Sequence, residues 1–510
     1  MVNKVYSNRI SEYVHENGGR VLILFLLFLL SLYSFKNSGI NGMALLLAIP
    51  ISIIGIYFAF IYKMFSFWAL FIVNYFVMFI SREIGLPFPV SLANELIELA
   101  LIAISIIDLR ETNLKNAANF MLFGILGWCL FCMIEVFNNT CGLGMNLTAW
   151  FTGIRLMAFQ LLYAVIVFSI YINTPQRLFL LFKIWAVCAL FAVIWSLKQK
   201  YIGWTPAETY WLFVQDHARQ HLVNGIIRYF GTFTDAANFG IHMACASVSF
   251  YIIAITNKVQ RHRIFFGVIG ALTTWAMFLS GTRTAIFCMM AGFMVFLVLS
   301  RSIKIIVPVS LVFGLFICML IFTNIGQGNS QIRRMRSAFN SQDASANVRD
   351  INKAAIAKYM KDAPWGIGIG IFGSDLPARN KFKIVSQIPP DSEYVFIWVR
   401  TGWIGVSWFA ICNIIILIGS CYIVLFKLKN KSLMGLGAAW CASFTALHLG
   451  GYANQILMQF PNIVVFYGGL ATVYLMPNME KEYELYEAKE LSKQEEKKRI
   501  KLEKKLAKRV

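Results

Sequence analysis

Apolar runs long enough to cross a lipid bilayer recur almost from one end of this 510-residue chain to the other. A membrane-spanning helix needs about 20 predominantly apolar residues. Here 58% of all residues are hydrophobic and only 14% are charged. Backbone N–H and C=O groups in hydrocarbon must pair within their own segment, which favours helices over open strands. The length alone would allow several soluble domains, but this composition predicts an all-α, polytopic membrane protein.

We predict about fourteen membrane-spanning helices of this length, an even number that would leave both termini on the same side. The charged residues fall mostly between the spans. The predicted spans are Val21–Phe35, Asn41–Tyr62, Phe65–Ser81, Ala93–Ile107, Ala117–Phe137, Phe151–Ile172, Leu178–Leu197, Ala236–Ile255, Ile264–Leu279, Thr284–Ser300, Ile305–Phe322, Tyr394–Phe426, Leu433–Leu449 and Gln459–Leu475.

Lysine and arginine residues in the short loops indicate the orientation, because cytoplasmic loops carry an excess of both. A cytoplasmic N-terminus places basic residues such as Lys63 and Arg301 in inside loops. It places three polar segments on the extracytoplasmic face: the loops 198–235 and 324–394 and the turn at Thr282–Arg283. The first apolar run lacks a small-residue cleavage site after it, so we interpret it as a retained helix.

The end of the chain differs from the rest. Residues 1–476 form the predicted membrane domain, and residues 477–510 form a charged, helix-favouring tail that is strongly basic from Lys497 onward. We expect this tail in the cytoplasm with its basic end near anionic headgroups; docking of a partner such as a chain-length regulator is the open alternative. The formal net charge of +21 fits membrane lipids better than nucleic acid as a partner.

The cysteine and histidine residues do not indicate a metal site or a cofactor. Most of the ten cysteines lie inside apolar runs, where a thiol behaves as a small hydrophobic group. No histidine pair with metal-ligand spacing accompanies carboxylates or thiols. We therefore predict neither a metal nor a cofactor.

Arginine residues concentrate near the predicted extracytoplasmic face. Arg283 interrupts an apolar hairpin, and an arginine at the edge of a bilayer is costly enough to suggest a site, although it could simply reach headgroup phosphates. The loop 324–394 opens with Arg333, Arg334 and Arg336. Loops longer than about 15 residues are usually functional or disordered, and the glycine, tryptophan and amphipathic pattern of this one does not favour disorder.

Within this loop, Ser345–Asp362 is predicted to be an amphipathic helix because apolar residues recur on one face and Pro364 follows. Arg349 falls in the first turn, where the helix dipole disfavours a cation. Ligand binding and simple solvation are the two interpretations of that arginine. The following run 364–373 is rich in glycine but lacks the Gly-Lys-Ser/Thr ending of a nucleotide-binding loop. We interpret it as a close-packed turn that lets the loop fold against helix ends.

Two carboxylates, Asp391 and Glu393, stand at the start of a long apolar helix that also carries Arg400. They could cap that helix. Alternatively, a carboxylate facing a cation-lined cleft could accept a proton from an incoming hydroxyl.

The earlier polar loop adds Arg228, Asp235 and Asn238. Asp235 and Asn238 flank the start of a span, where they could bind sugar hydroxyls or cap the helix, and capping is the expected role of Asp235. Arg155 lies within a predicted span and needs a partner that the sequence does not name.

Four short motifs follow one another between Arg228 and Gly405. They are Gly231-Thr-Phe-Thr-Asp-Ala-Ala-Asn-Phe239, Ser280-Gly-Thr-Arg-Thr-Ala285, Ala363-Pro-Trp-Gly-Ile-Gly-Ile-Gly-Ile-Phe372 preceded by Arg349, and Asp391-Ser-Glu-Tyr394 through Gly402-Trp-Ile-Gly405. In this order the motifs resemble the O-antigen polymerase and O-antigen ligase superfamily. The resemblance implies a bacterial cytoplasmic-membrane glycosyltransferase of the GT-C kind, which acts outside the cytoplasm on glycans carried by a polyprenyl diphosphate.

By position, the resemblance assigns Arg283 and Arg349 to the lipid diphosphate, whose charge they would neutralise without a metal. Ligases of this superfamily carry a histidine where Asp391 stands, beside Ser392. An aspartate is the weaker base, with an unperturbed pKa of about 3.9 against about 6.5 for histidine. We therefore favour a polymerase over a ligase.

The resulting hypothesis is a single inverting displacement, in which a hydroxyl on the incoming repeat unit attacks the reducing-end sugar of the growing, lipid-linked chain. Asp391 or Glu393 would orient or deprotonate the hydroxyl while the two arginines hold the departing diphosphate. The further candidate substrate contacts are Arg228, Asp235, Asn238, Arg333, Arg336, Tyr394 and Arg400. The open alternatives are a ligase that transfers glycan to another lipid or protein, and a transporter or flippase, which would place ionisable residues near the bilayer midplane.

Overall fold

The computed structural model describes residues 57–85, 90–108, 114–223, 225–328, 330–336, 339 and 344–507, together with scattered positions among residues 18–55. The chain divides into two units, Met1–Ser66 and Phe67–Val510. The predicted spans Val21–Phe35 and Asn41–Tyr62 both belong to the first unit and lie largely outside the described residues.

Helices make up most of the described residues. The longer ones are α1 Lys63–Ile84, α2 Val90–Ile107, α3 Phe120–Phe137, α4 Leu147–Tyr171, α5 Pro175–Tyr201, α6 Ala236–Thr256, α7 Gln260–Leu279, α8 Thr284–Ser300, α9 Ile303–Phe322, α10 Ser330–Arg336, α11 Ala344–Met360, α12 Glu393–Lys427, α13 Lys431–Ala453, α14 Ile463–Val473 and α15 Met476–Ala507. Short helical turns are Leu114–Asn116, Pro206–Thr209, Tyr210–Val214, Ala218–His221, Lys381–Lys383 and Val385–Gln387. A two-residue antiparallel hairpin pairs Leu222–Val223 with Ile226–Ile227.

The all-α, polytopic architecture that the apolar runs predict is confirmed. Eight helices of the described residues are long and apolar enough to cross a membrane, namely α1, α3, α4, α5, α6, α7, α12 and α13. Helices α8 and α14 and the 306–322 part of α9 are apolar but shorter. Each span predicted from Phe65 onward coincides with one helix, and Thr284–Ser300 agrees at both ends.

Helix α6 lies at the centre of the second unit and packs along α7, α8 and α13. Small residues allow this close packing: a Cβ atom on Gly240 would collide with Ser280. Trp185 of α5 and Trp440 of α13 stack in the core with ring centroids 5.1 Å apart, and Trp185 Nε1 donates to Nε2 of the buried His242 (3.0 Å). This core aligns the starts of α6 and α8 at one end of the bundle, called the loop face.

Helix α12 is broken at Gly402, whose backbone is left-handed with φ +67°. The glycine-rich loop 364–373 lies against the break, and hydrogen bonds join the two. These run from Ile367 N to Val399 O (2.9 Å), from Gly368 N to Arg400 O (3.0 Å) and from Ile404 N to Pro364 O (3.4 Å). Non-helical backbone within a membrane protein is tolerated where it pairs with protein groups in this way. The predicted close approach of the loop to helix ends is confirmed at the first turns of α4, where a Cβ atom on Gly370 would collide with the Ala149 carbonyl. The loop also packs against the break inside α12, which the sequence did not predict.

Helix α15 docks at the opposite end of the bundle, called the tail face, where it packs against α5 and α13. Glu480 Oε1 accepts hydrogen bonds from the backbone N–H groups of Lys429 (2.6 Å) and Asn430 (2.7 Å) just before α13 begins. The tail is helical to Ala507, as its composition predicts. Its cytoplasmic location and its boundary at residue 476 stay predictions.

Candidate functional site

The turn between α7 and α8, Ser280–Arg283, is held in place by Arg228. The Nε atom of Arg228 donates to the Ser280 carbonyl (3.3 Å) and its Nη2 atom donates to Thr282 Oγ1 (3.1 Å). Thr282 Oγ1 donates in turn to the carbonyl of Ala236 at the start of α6 (2.7 Å). Arg283 is therefore carried at the loop face on a turn fixed to two helices.

Arg334 of α10 packs on the same turn, where its Nε atom donates to the Gly281 carbonyl (2.9 Å). Burial and then the charge of Arg334 lower the pKa of Arg228 to about 10, although Asp235 opposes the shift. Burial and then the charges of Arg334 and Arg349 also lower the pKa of Arg283. The structure thus brings four arginines within electrostatic range of one another: Arg228, Arg283, Arg334 and Arg349. Such a group of like charges creates a positive surface suited to an anion.

A cavity of about 440 Å³ lies beside this arginine cluster, between α11, the start of α12 and the end of α13. Its volume is within the range of about 300–1,000 Å³ typical of small-molecule sites. The lining residues are Arg349, Asp350, Lys353, Pro390, Asp391, Ser392, Tyr394, Val395, Trp398, Val406, Tyr452 and Ala453. One of the clustered arginines and the predicted base therefore share a single cavity.

Asp391 enters this cavity from a sharp bend in the chain. Its φ of +50° is left-handed, a conformation that aspartate tolerates better than most side chains. Asn352 Nδ2 of α11 donates to Asp391 Oδ2 (2.8 Å). Burial lowers the pKa of Arg349, while the charges of Asp391 and Asp350 oppose that shift. Asp391 therefore lies within electrostatic range of Arg349, and the hydrogen bond from Asn352 fixes the orientation of its carboxylate.

Aromatic side chains form another part of the cavity wall. Tyr394 and Trp398 lie one helical turn apart on α12, and Tyr452 lies near the end of α13. The Tyr394 hydroxyl is hydrogen bonded to Nδ1 of the partly buried His448 (2.9 Å). Aromatic rings with polar tips offer both a flat apolar surface and hydrogen bonding, a combination that suits the ring and hydroxyls of a sugar.

The second predicted carboxylate, Glu393, points away from the cavity. Glu393 is buried, and its Oε2 atom accepts a hydrogen bond from the backbone N–H of Leu457 (2.9 Å). It is not among the residues that line the cavity. Of the two carboxylates that the sequence left open, the geometry favours Asp391 as the group that meets an acceptor.

Asp235 and Asn238 have structural partners. Asp235 Oδ1 accepts from the backbone N–H groups of Ala237 (2.8 Å) and Asn238 (2.9 Å) and so caps α6. Asn238 is fully buried, its Nδ2 atom donates to Gln459 Oε1 (2.9 Å), and its Oδ1 atom accepts from Asn462 (2.7 Å). The expected capping by Asp235 is confirmed. Because Asn238 has no exposed surface, these contacts argue against its direct binding of a sugar.

The remaining predicted substrate contacts lie outside the cavity. Arg333 is exposed and its Nη1 atom donates to the Gln327 carbonyl (2.9 Å), while Arg336 donates to the carbonyl of Ile325. Arg400 is buried beside the helix break, with its guanidinium carbon 4.4 Å from the centroid of the Phe372 ring. These contacts support local structure, and substrate binding by the three arginines stays a prediction.

Sequence reasoning missed most of the residues that line the cavity, among them Lys353, Trp398 and Tyr452. Lys353 follows Arg349 by four residues on α11, a spacing that places both on one helix face, so the sequence did contain that signal. Trp398 follows Tyr394 by the same spacing. Tyr452 reaches the cavity only through the packing of α13, which no local pattern reveals.

The segment from α7 to α12 carries Arg283, Arg349 and Asp391. Residues 268–410 match the family model for O-antigen ligase. The match begins within α7, ends within α12 and includes Arg283, Arg349 and Asp391. It supports the O-antigen ligase and polymerase superfamily, and membrane glycosyl transfer from lipid-linked glycans, without separating the two branches. No curated protein matches the chain.

Proposed function

We propose that this protein polymerises oligosaccharide repeat units carried on a polyprenyl diphosphate into a surface polysaccharide, such as an O-antigen, a capsule or an exopolysaccharide. The reaction is an inverting glycosyl transfer that needs no metal. It takes place at the loop face, which in this proposal is the extracytoplasmic side of a bacterial cytoplasmic membrane. The observation that carries the proposal is that Asp391 and Arg349, one member of the arginine cluster, line the same cavity.

In this proposal the arginines stabilise the leaving group. As the bond between the anomeric carbon and the diphosphate oxygen breaks, negative charge develops on the diphosphate. Arg283 and Arg349 lie within electrostatic range of each other, and guanidinium groups bind phosphate oxygens in a bidentate manner. Fixed positive charge at that position lowers the energy of the transition state. Arg228 supports this arrangement indirectly by fixing the turn that carries Arg283.

In this proposal Asp391 activates the acceptor. A hydroxyl of the acceptor sugar forms the new bond to the anomeric carbon, and its proton passes to the Asp391 carboxylate. Asn352 orients that carboxylate through one oxygen, which leaves the other available. A single attack from the face opposite the diphosphate inverts the anomeric configuration. Trp398 and Tyr452 supply the surface against which the acceptor glycan lies.

The second candidate function is that of a ligase, which transfers the finished glycan to another lipid or to a protein. The description of the matching family favours it. The polymerase proposal is supported by Asp391, which stands where the ligases that the sequence resembles carry a histidine. The two functions share the donor and the chemistry and differ only in the acceptor.

Product analysis separates these functions. The purified protein is placed in liposomes with a synthetic polyprenyl-diphosphate oligosaccharide as the sole glycan. A polymerase gives a ladder of products, each one repeat unit longer than the last, and releases polyprenyl diphosphate. A ligase gives no ladder and consumes the donor only after a second acceptor is added. If neither condition consumes the donor, glycosyl transfer by this protein is refuted.

A further inference from the structure

A second group of polar side chains lies away from the loop face, beside the middle of the α4 span. Arg155, for which the sequence named no partner, forms an ion pair with Glu95 of α2, with Arg155 Nε 3.1 Å from Glu95 Oε1. Arg155 begins a π-helical turn, Arg155–Phe159, within α4. Such turns replace the regular helix in one place and often mark functional sites.

Glu98 lies one turn beyond Glu95 on α2 and is fully buried. The Nε2 atom of the fully buried Gln160 donates to Glu98 Oε2 at 2.5 Å. The other oxygens of this pair, Glu98 Oε1 and Gln160 Oε1, both lack a hydrogen-bond partner among the described residues. When Glu98 is ionised, both of these oxygens can only accept hydrogen bonds, so neither can donate to the other.

The charges around Glu98 also disfavour its ionised form. The described groups that interact with it are Gln160, which is neutral, Glu95, which repels a second negative charge, and the Tyr163 hydroxyl. Arg155, the nearby cation, is already paired with Glu95. An ionised Glu98 would therefore be a buried charge without a cation, which is among the least favourable arrangements within a bilayer.

We propose that Glu98 is an intramembrane proton-binding site. The proton resides on Glu98 Oε1 and is donated to Gln160 Oε1, while Gln160 Nε2 continues to donate to Glu98 Oε2. One proton taken from solvent thus satisfies both unpartnered oxygens and removes the uncompensated charge. Asn94, one turn earlier on α2, is also buried with both amide atoms unpartnered among the described residues.

Infrared spectroscopy of the full chain in membranes tests the protonation state. The wild-type protein at neutral pH is expected to show the carbonyl band of a protonated carboxylic acid, which shifts in deuterated water and disappears in Glu98→Gln. The matched control Glu95→Gln retains the band, because Glu95 is ionised in its pair with Arg155. A carboxylate band that disappears in Glu98→Gln would overturn the proposal.

Thermal unfolding provides a second measurement. Glu98→Gln replaces a neutral acid by a neutral amide of the same shape, so its Tm should match that of the wild-type protein. Glu95→Gln leaves Arg155 without its anionic partner and should lower the Tm. A Glu98→Gln variant that is as unstable as Glu95→Gln, or that does not fold, would show that the carboxylate charge is required and would overturn the proposal.

Discussion

Glu487 at the tail face and the arginine cluster at the loop face differ in the charges that surround them. At the tail face, the buried Glu487 accepts hydrogen bonds from Lys258 Nζ (2.8 Å), Asn430 Nδ2 (3.1 Å) and Ser432 Oγ. Burial alone would raise the pKa of Glu487, yet these donors lower it below its ordinary value. The charge of Glu487 is therefore stabilised by donors where α15 docks.

At the loop face, charges of the same sign are held near one another. Burial and the neighbouring arginines lower the pKa values of Arg228 and Arg283. Neighbouring charges that do not stabilise one another are expected at sites where a protein binds a ligand or catalyses a reaction. The comparison teaches that the charge of Glu487 is satisfied by donors within the chain, whereas the proposed function has the arginine cluster bind an anionic diphosphate.

The largest expected effect is on glycosyl transfer when an arginine of the cluster is removed. Arg283→Ala or Arg349→Ala should lower the rate by on the order of 10³-fold, the upper range for loss of a group that stabilises developing negative charge. Rates are measured with the lipid-linked oligosaccharide in liposomes. Arg379→Ala, which removes an exposed arginine from the same long loop, is the matched control and should keep full activity. Wild-type rates in the two cluster variants would contradict the proposed contrast between the faces.

A smaller loss of activity is expected at the acceptor side. Asp391→Asn keeps the shape of the side chain but cannot accept the hydroxyl proton, so the rate should fall on the order of 10²-fold, with donor binding retained. The control is Asp362→Asn, since Asp362 forms only an exposed ion pair with Lys381. An unchanged rate in Asp391→Asn would remove Asp391 from the mechanism.

At the tail face, substitution should affect stability rather than chemistry. Glu487→Gln weakens three hydrogen bonds to a buried carboxylate and should cost about 1–3 kcal/mol of unfolding free energy, while the activity per folded molecule is unchanged. Because the folded-state pKa of Glu487 is lowered, its contribution is present above the unfolded pKa and is lost as pH falls through the folded pKa. The difference between the variant and the wild-type protein should therefore shrink in acid.

Glu503→Gln is the matched control for this measurement, because Glu503 lies on α15 and forms an exposed ion pair with Arg499. Its unfolding free energy should stay close to that of the wild-type protein. A loss of glycosyl transfer in Glu487→Gln at full stability would mean that the two faces are coupled.

The smallest expected effect is stabilisation by a free anion. Inorganic pyrophosphate at about ten times its Kd should stabilise the wild-type protein by about 1.4 kcal/mol, because it completes the arginine cluster. The measurement is the Tm with and without pyrophosphate at constant ionic strength. The effect should be lost in Arg349→Ala and retained in Arg379→Ala. Equal stabilisation of all three proteins would indicate nonspecific binding.

Much of this fold could be predicted because its elements are local. The apolar runs gave the ends of most spans to within a few residues, and the amphipathic pattern gave α11, which runs from Ala344 to Met360. The break at Gly402 was missed because a helix-to-helix interruption leaves the apolar pattern intact. Only the approach of the loop 364–373 shows why a glycine is needed there.

The candidate site was predictable where charge stood out against an apolar background. Arg283 and Arg349 were conspicuous for that reason, and Arg155 was correctly recognised as needing a partner. That partner, Glu95, could not be chosen from sequence because the choice depends on how α2 packs against α4. Asn238 was misleading for the opposite reason: a polar residue at a helix start is equally suited to solvent or to an internal network, and burial decides which.

The break in α12 restricts how the cavity can change shape. Two N–H groups of the loop 364–373 donate to α12 before Gly402, and the Pro364 carbonyl accepts from Ile404 after it, so the loop and the helix cannot separate without leaving these backbone groups unpaired. The wall that carries Trp398 is therefore stiff. Adaptation to glycans of different sizes must come from the opposite walls, through shifts of α11 or of the end of α13.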